Sequence, residues 1–153
     1  MKRFSSRYER IRHLRSQQED TCRAAAAACN AERMQAEQNR NEVHTWLDAI
    51  QRTAAQDIGK GLSGSVFIAM ANMLQLGEQK LQNAADQLHT AEANLDLALQ
   101  QHKAARAELK IIEEVIHREQ TEHRRAQLKH EEIHLQEQAS QAYYRVQGNR
   151  SES

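Results

Sequence analysis

The second half of the sequence carries an unbroken heptad repeat, and this feature restricts the possible folds more than any other. Two classes of position alternate by four and three residues over seven heptads. The large class comprises Phe67, Leu74, Leu81, Leu88, Leu95, His102, Leu109 and Ile116, and the small class comprises Met70, Gly77, Ala84, Ala91, Ala98, Ala105 and Ile112. A repeat of this length is typical of a left-handed coiled coil rather than a short amphipathic helix. Glycine and alanine at alternate layers let two backbones approach closely, so a partner helix is expected.

The first half supplies a partner with the same spacing. Its repeat comprises Phe4, Tyr8, Ile11, Cys22, Ala25, Cys29, Ala36, Val43, Trp46, Ile50 and Ala54, and polar residues interrupt it at Arg15, Gln18, Glu32 and Asn39. Trp46 has two interpretations, a core aromatic of the seam or a partly exposed anchor for a partner protein. The repeat therefore predicts a second long helix that packs on the first.

A single break separates the two halves. Three of the five glycines lie within residues 57–65, and the chain has no proline. Gly59 can cap the first helix, and Ser63 or Ser65 can cap the second. A short link makes antiparallel packing the default.

The predicted fold class is therefore all-α, a two-helix antiparallel coiled-coil hairpin. We predict one domain over residues 1–147, with helix 1 at about 4–57, a hinge at 58–65 and helix 2 at about 66–147. The tail 148–153 is predicted to be disordered. Pairing about the hinge places Ala36 near Leu88 and leaves the C-terminal end of helix 2 as an overhang.

Composition and charge argue against several classes of function. The formal net charge is zero, so we expect no nucleic-acid partner. No apolar stretch is long enough to span a membrane, and no apolar run follows the basic N-terminal residues, as a secretory signal would require. Cys22 and Cys29 are two helical turns apart, about 10 Å, which is too far for a disulfide between them. We expect a cytoplasmic protein with reduced thiols.

One motif suggests chemistry, and its context argues against it. His130-Glu131-Glu132-Ile133-His134 matches the H-E-x-x-H pattern of zinc peptidases. That chemistry needs a third ligand and a cleft, and a two-helix chain offers no second layer to build one. A surface metal site is an alternative to plain helix surface. We predict no enzyme activity, no catalytic residues, no cofactor and no metal.

Charged residues also fall on the predicted seam. His102, His123 and His130 continue the large class, where polar layers set register in coiled coils, and a pH switch is an alternative. The basic N-terminal residues, Arg7 and Arg10 among them, can pair with acids of the second helix such as Glu119 or contact an acidic protein.

Three stretches resemble one known family. The hinge at residues 57–62 is similar to an Asp-x-Gly-x-Gly-Ile turn, Leu95–Leu99 is similar to a stretch of the second helix, and Arg124–Ala142 is similar to a charged C-terminal segment. On these residues the chain resembles the FliJ/YscO stalk proteins of bacterial type III secretion, from flagella and injectisomes.

The resemblance implies a mechanism. The joined N- and C-terminal ends of such a protein insert into the hexameric export ATPase, and the hinge end projects toward the export gate protein. Some members also bind export chaperones. The chain would be cytoplasmic, peripheral at the inner-membrane export apparatus only through its partners, and a monomer.

The resemblance also implies two binding surfaces. The gate surface falls on Asn39, Val43, Trp46, Ile50, Met73, Gly77, Lys80 and Ala84, and the ATPase end carries Arg3, Arg7, Arg10, Arg124, Arg125 and Tyr143. Trp46 and Ile50 stand where the family has tyrosines, and Met73 stands where it has phenylalanine. The choice between flagellum and injectisome stays open. The alternative function is an unrelated coiled-coil adaptor or a self-associating rod.

Overall fold

Two long helices form the fold of this chain, as the sequence predicts. The computed structural model describes residues 4–61 and 63–151. Helix α1 spans Glu9–Ile58 and helix α2 spans Gly64–Ser151. The two helices pack against each other, and no strand occurs among the described residues, so the predicted all-α antiparallel hairpin is confirmed. No helix in the described part contains a stretch long and apolar enough to cross a bilayer.

The helix ends differ from the predicted bounds by a few residues. Helix α1 begins at Glu9 rather than at about residue 4, because Ser6 holds the preceding turn. Its carbonyl accepts from the Glu9 amide at 3.3 Å, and its hydroxyl accepts from the Tyr8 amide at 3.2 Å. Helix α2 continues through Gly148 to Ser151, into the segment predicted as a disordered tail. One glycine lowers helix stability by only about 1 kcal/mol, and no proline ends the helix.

The link between the helices depends on a different glycine from the one expected. Gly61 adopts the left-handed conformation, with φ of 72°, whereas the sequence suggested Gly59 as the capping glycine. The Lys60 amide closes the last turn on the Asp57 carbonyl at 3.0 Å. Ser63, one of the two capping residues that the sequence suggested, immediately precedes α2, and its carbonyl accepts a hydrogen bond from the Phe67 amide at 3.1 Å. Leu62 lies outside the described residues.

Contacts divide the chain into two units, each built from a part of both helices. Unit 1 comprises Met1–Ser16 and Ala107–Ser153, and unit 2 comprises Gln17–Arg106. The single domain over residues 1–147 stays a prediction.

In unit 2 the seam of α2 lies where the repeat places it. Gly77, Ala84, Leu88, Ala91 and Ala98 are buried, and the neighbouring members of both classes from Met70 to Ala105 are half-buried. Phe67, which the repeat also placed in the seam, is 55% exposed. Antiparallel pairing is evident because Leu47 contacts Gly77 near the link, whereas Glu19, earlier in α1, contacts His102, later in α2. The heptad repeat of the second half therefore predicted its buried face correctly.

The seam of α1 differs from the predicted one by a single position at several layers. Ala26 and Leu47 are buried, whereas Ala25 and Trp46, which the pattern placed in the seam, are exposed. The seam follows an unbroken 3/4 spacing through Arg15, Glu19, Cys22, Ala26, Cys29, Arg33, Ala36, Arg40, Val43, Leu47, Ile50, Ala54 and Asp57. The prediction failed here because the residues at both alternative positions are apolar, Ala25 beside Ala26 and Trp46 beside Leu47, so the spacing alone did not distinguish them.

Small residues of α2 accommodate the long charged side chains of α1. The register set by Leu47 and Gly77 places Arg40 opposite Ala84 and Arg33 opposite Ala91. Arg33 and Arg40 are both half-buried, and Arg33 pairs with Glu37 at 3.0 Å. The aliphatic stem of an arginine can cover an alanine while its head group stays in water. Alternation of large and small residues therefore holds even where the large residue is charged.

Unit 1 combines a short apolar seam with polar contacts. Ile116 is buried, and the Phe4 ring lies 5.3 Å from the His123 ring. The Ser6 hydroxyl donates to Glu119 at 2.6 Å, and Arg15 pairs with Glu108. The side chains from Leu128 to Val146 are all exposed, which confirms the predicted overhang of α2.

The close approach at Gly77 gives a stability prediction. A Cβ atom at Gly77 would lie 2.6 Å from Leu47 Cδ1 and 3.2 Å from Trp46 Cζ3, so we expect Gly77→Leu to lower the free energy of unfolding by about 1–3 kcal/mol through overpacking. Urea unfolding followed by circular dichroism would measure the change. Gly148→Leu is the matched control, because nothing lies within 4 Å of a Cβ atom there. An equal effect of both substitutions would contradict this account of the seam.

Candidate functional site

The residues predicted for the gate surface divide between the seam and the exterior of unit 2. Val43 and Ile50 are half-buried in the seam, and Gly77 is buried. Asn39, Met73 and Lys80 are exposed, and Trp46 is 36% exposed. The interpretation of Trp46 as a seam residue is wrong, because Leu47 occupies that position.

The structure brings three of these residues together around the Trp46 ring. Gly77 has no side chain, so the ring edge lies close to the α2 backbone at that point. Lys80, one turn further along α2, places its Nζ atom 5.2 Å from the centroid of the Trp46 ring. An ammonium group at this distance is attracted to the ring face. Trp46 is thus positioned by α2 while more than a third of its surface stays accessible.

Trp46 also belongs to a surface that the sequence analysis missed. A shallow groove follows the outer side of α1 from Ala31 to Ala49, and Trp46 and Met34 contribute its large apolar side chains. The groove includes Ala31, Met34, Gln38, Asn41 and Thr45, which repeat at 3/4 spacing and carry no charge. That second repeat, offset from the seam, was the signal available in the sequence.

At the N-terminal side of unit 1, a predicted ion pair is confirmed. Arg7 Nε lies 3.6 Å from Glu119 Oε1, and the Arg7 guanidinium lies 4.8 Å above the Tyr8 ring. The Arg7 side chain is nevertheless 77% exposed, so its charge remains accessible to a partner. Arg10 is exposed, and Arg3 lies outside the described residues.

The other residues predicted for the ATPase end lie on or just before the overhang of α2. Arg124, Arg125 and Tyr143 are exposed. The Tyr143 ring packs edge-on against Tyr144 with centroids 6.1 Å apart, and Gln147 donates to the Tyr143 hydroxyl at 2.8 Å. Leu128, Leu135 and Val146 add exposed apolar surface. Arg7 and Tyr143 therefore have different contacts, although both belong to unit 1.

A buried polar layer crosses the seam of unit 2. Arg23 donates to both oxygens of Glu19, at 2.7 and 2.6 Å, and His102 Nε2 lies 2.8 Å from Glu19 Oε1. The Glu19 side chain is only 6% exposed. Hydrogen bonds from Arg23 and His102 lower the pKa of Glu19 from 4.5 to about 2. The heptad repeat of α2 predicted a seam position for His102, whereas the predicted repeat of α1 placed Gln18 rather than the adjacent Glu19 at this layer.

The histidines of the H-E-x-x-H pattern form no recognisable metal centre. Among the residues that the structure describes, no group of three or more His, Cys, Asp or Glu residues could hold a metal ion. His134 Nε2 lies 3.2 Å from the Gln138 amide nitrogen. Both cysteines are free thiols. The predicted lack of a cofactor stays a prediction.

Comparison with known proteins identifies one family. The model of the family described as flagellar FliJ protein matches residues 4–148. Searches of curated proteins and of solved structures give no significant match. The family match covers both helices, the link and most of the overhang.

The polar layer predicts how stability depends on pH. The Glu19 pKa is lower in the folded chain than its ordinary value, so this carboxylate stabilises the fold above about pH 4.5 and loses that effect as the pH falls toward about 2. We expect Glu19→Gln to flatten the acid-side decline of the thermal midpoint, measured by circular dichroism. Asp20→Asn, at an exposed neighbouring carboxylate, should keep the dependence of the unsubstituted chain. If the thermal midpoint of Glu19→Gln depended on pH in the same way as that of the unsubstituted chain, the acid-side loss of stability would not be due to Glu19.

Proposed function

Because the chain belongs to the flagellar FliJ protein family, we propose that it is the stalk that links the hexameric export ATPase to the export gate protein. Membership makes the chain a component of the flagellar export apparatus. The observation that carries the proposal is the extent of the family match, since residues 4–148 include both surfaces to which the stalk function assigns a partner.

The proposal gives unit 1 the ATPase as its partner. The overhang presents apolar side chains at Leu128, Leu135 and Val146, beside the exposed arginines Arg124 and Arg125. An amphipathic helix without an internal partner is a common docking element, and arginine is favoured at binding hot spots. Arg7 and Arg10 add exposed positive charge from the N-terminal part of the same unit.

The proposal gives unit 2 the gate protein as its partner. Trp46 is the central residue of that surface, because the Gly77 backbone and Lys80 position its ring before any partner binds. Preorganised aromatic side chains bind with little loss of conformational entropy. Asn39 and Met73 provide exposed flanks, whereas Val43 and Ile50 act from the seam by holding the helices together.

Export chaperones are a third class of partner in this proposal. The groove of α1 around Met34 is the surface that we assign to them, because Met34 is an apolar residue that is 57% exposed. The chain has no enzyme activity of its own in this scheme. It acts in the cytoplasm, at the inner-membrane export apparatus, as a monomer that reaches the membrane only through its partners.

The second candidate function is a self-associating rod or an unrelated adaptor. The observation in its favour is the exposed apolar surface of the overhang, which could pair with a second copy. Light scattering of the purified chain distinguishes the two. A stable homodimer that does not bind the ATPase would favour the rod, and a monomer that binds the ATPase would favour the stalk.

The ATPase end gives the first functional prediction. We expect the chain to co-purify with the hexameric export ATPase and to raise its turnover, and Arg124→Glu/Arg125→Glu to weaken that binding about tenfold or more. The matched control is Lys103→Glu/Arg106→Glu, which makes the same charge change at exposed positions of unit 2. Turnover assays and titration with the purified ATPase would measure both effects. If both double variants bound the ATPase equally well, the assignment of unit 1 to the ATPase would be contradicted.

The gate surface gives a complementary prediction. We expect Trp46→Ala to weaken binding of the purified cytoplasmic part of the gate protein about tenfold or more, while stimulation of the ATPase is retained. Leu97→Ala removes an exposed apolar side chain from α2 in the same unit and should bind normally. Thermal unfolding of Trp46→Ala would separate lost binding from lost stability. Unchanged gate binding by a folded Trp46→Ala would refute the assignment.

A further inference from the structure

The seam of α2 in unit 2 nearly repeats itself every seven residues. Leucine recurs in the large class, and in the small class glycine is followed only by alanine; the members are Leu74, Leu81, Leu88 and Leu95, and Gly77, Ala84, Ala91 and Ala98. If α2 slid along α1 by one heptad, about 10 Å, leucine would replace leucine and alanine would replace alanine at most layers. These layers hold the helices together, but they discriminate little between one register and the next.

The link does not fix the register by itself. Gly59, Gly61 and Gly64 lie within six residues, and only Gly61 has a positive φ in this register. Glycine adopts left-handed and helical conformations with little steric penalty. A turn could therefore form a few residues earlier or later, so the register must be selected by layers that do not repeat.

Two layers of unit 2 differ from the rest, and the Gly77 layer is the weaker of them. A slide of one heptad would bring Ala84 or Met70 to the place of Gly77, opposite Leu47. A Cβ atom at Gly77 would be 2.6 Å from Leu47 Cδ1. That atom is the end of a flexible side chain, so the contact with an alanine could be relieved by a rotation of Leu47. Gly77 favours the observed register without enforcing it.

The polar layer discriminates more strongly. Glu19 has His102 as its cross-seam partner, and His102 is the only polar member of the large class between Phe67 and Ile116. After a slide of one heptad Glu19 would lie between Leu109 and Ile112, or between Leu95 and Ala98 in the other direction. Arg23 would follow Glu19 because both are on α1, but the hydrogen bond across the seam would be lost. A buried carboxylate that faces apolar groups is strongly disfavoured.

We infer that Glu19 and His102 select the register in which the two helices of unit 2 pair, and that a second register one heptad away becomes populated when this pair is removed. Both residues act by fixing the position of α2 along α1. Unit 1 has its own cross-helix polar contacts, Arg15 with Glu108 and Ser6 with Glu119. The Arg15–Glu108 pair is exposed, and such pairs stabilise a fold only weakly. Ser6 is buried, so its contact with Glu119 opposes a slide within unit 1. Within unit 2 the main discrimination comes from the layer of Glu19 and His102.

Disulfide trapping tests the inference, because successive leucines of α2 report successive registers. In a background of Cys22→Ala and Cys29→Ala, Val43→Cys is combined in turn with Leu74→Cys, Leu81→Cys or Leu88→Cys. The observed register places residue 43 opposite residue 81, since Leu47 lies opposite Gly77. Only the 43–81 pair should form an intramolecular disulfide when the polar layer is intact. Pairs 43–74 and 43–88 report the two slipped registers.

The decisive variant replaces the polar layer by leucines, Glu19→Leu/His102→Leu. We expect the yield of 43–74 or 43–88 disulfide, relative to 43–81, to rise about tenfold or more, because the layer no longer discriminates. Asp20→Leu/Gln101→Leu is the matched control, because it introduces the same leucines at exposed neighbouring positions. It should cross-link only at 43–81.

A second variant keeps the inference testable if the first one misfolds or associates. His102→Leu alone leaves Glu19 facing apolar groups in every register, so a smaller rise of the same kind is expected. Circular dichroism and light scattering would establish that each variant is helical and monomeric. Cross-linking confined to 43–81 in a helical, monomeric form of either variant, or an equal rise in the Asp20→Leu/Gln101→Leu control, would overturn the inference.

Discussion

The alternation of large and small side chains across the helix pair is the constraint on which the other features of this chain depend. Alanine and glycine in one class of α2 let the α1 side chains lie close to the α2 backbone, most closely where Leu47 meets Gly77. That approach also exposes Trp46, since two adjacent helical residues cannot both point into a seam. The candidate gate surface is therefore a consequence of packing, because the residue that fills the seam determines which neighbour remains accessible.

The sequence predicted α2 well and α1 less well, for a physical reason. The core positions of α2 are almost all apolar, so a hydrophobic pattern identifies its buried face from Met70 to Ile116. The seam of α1 contains Glu19, Arg33 and Arg40, whose charge masks their positions in such a pattern. The 3/4 spacing fits Ala25 and Trp46 as well as Ala26 and Leu47, so spacing alone did not choose between these neighbouring positions. Long charged side chains are acceptable in the α1 seam because alanine lies opposite.

The site was predictable to the extent that it depends on packing. Repeat spacing and the position of the hinge bring residues of the two helices together around Trp46, and the structure places Gly77 and Lys80 beside it. The terminal surface was less predictable, because Arg124 and Tyr143 are both exposed and the contacts of Tyr143 are with neighbours on its own helix. Their importance depends on the shape and charge of a partner, which the sequence of one chain does not contain. Membership of the flagellar FliJ family implies interaction within the flagellar export apparatus, but it does not identify the residues that interact.

A repetitive seam has a consequence for any protein that links two partners. If most layers are equivalent, the energy that separates one register from the next is concentrated in the few layers that break the repeat. In unit 2 those layers contain Glu19 with His102 and Leu47 with Gly77. Trp46 adjoins the second of them, so a partner that binds Trp46 acts next to a residue that favours one register. A partner that bound Trp46 more tightly in one register than in the other would shift the population of the chain toward that register.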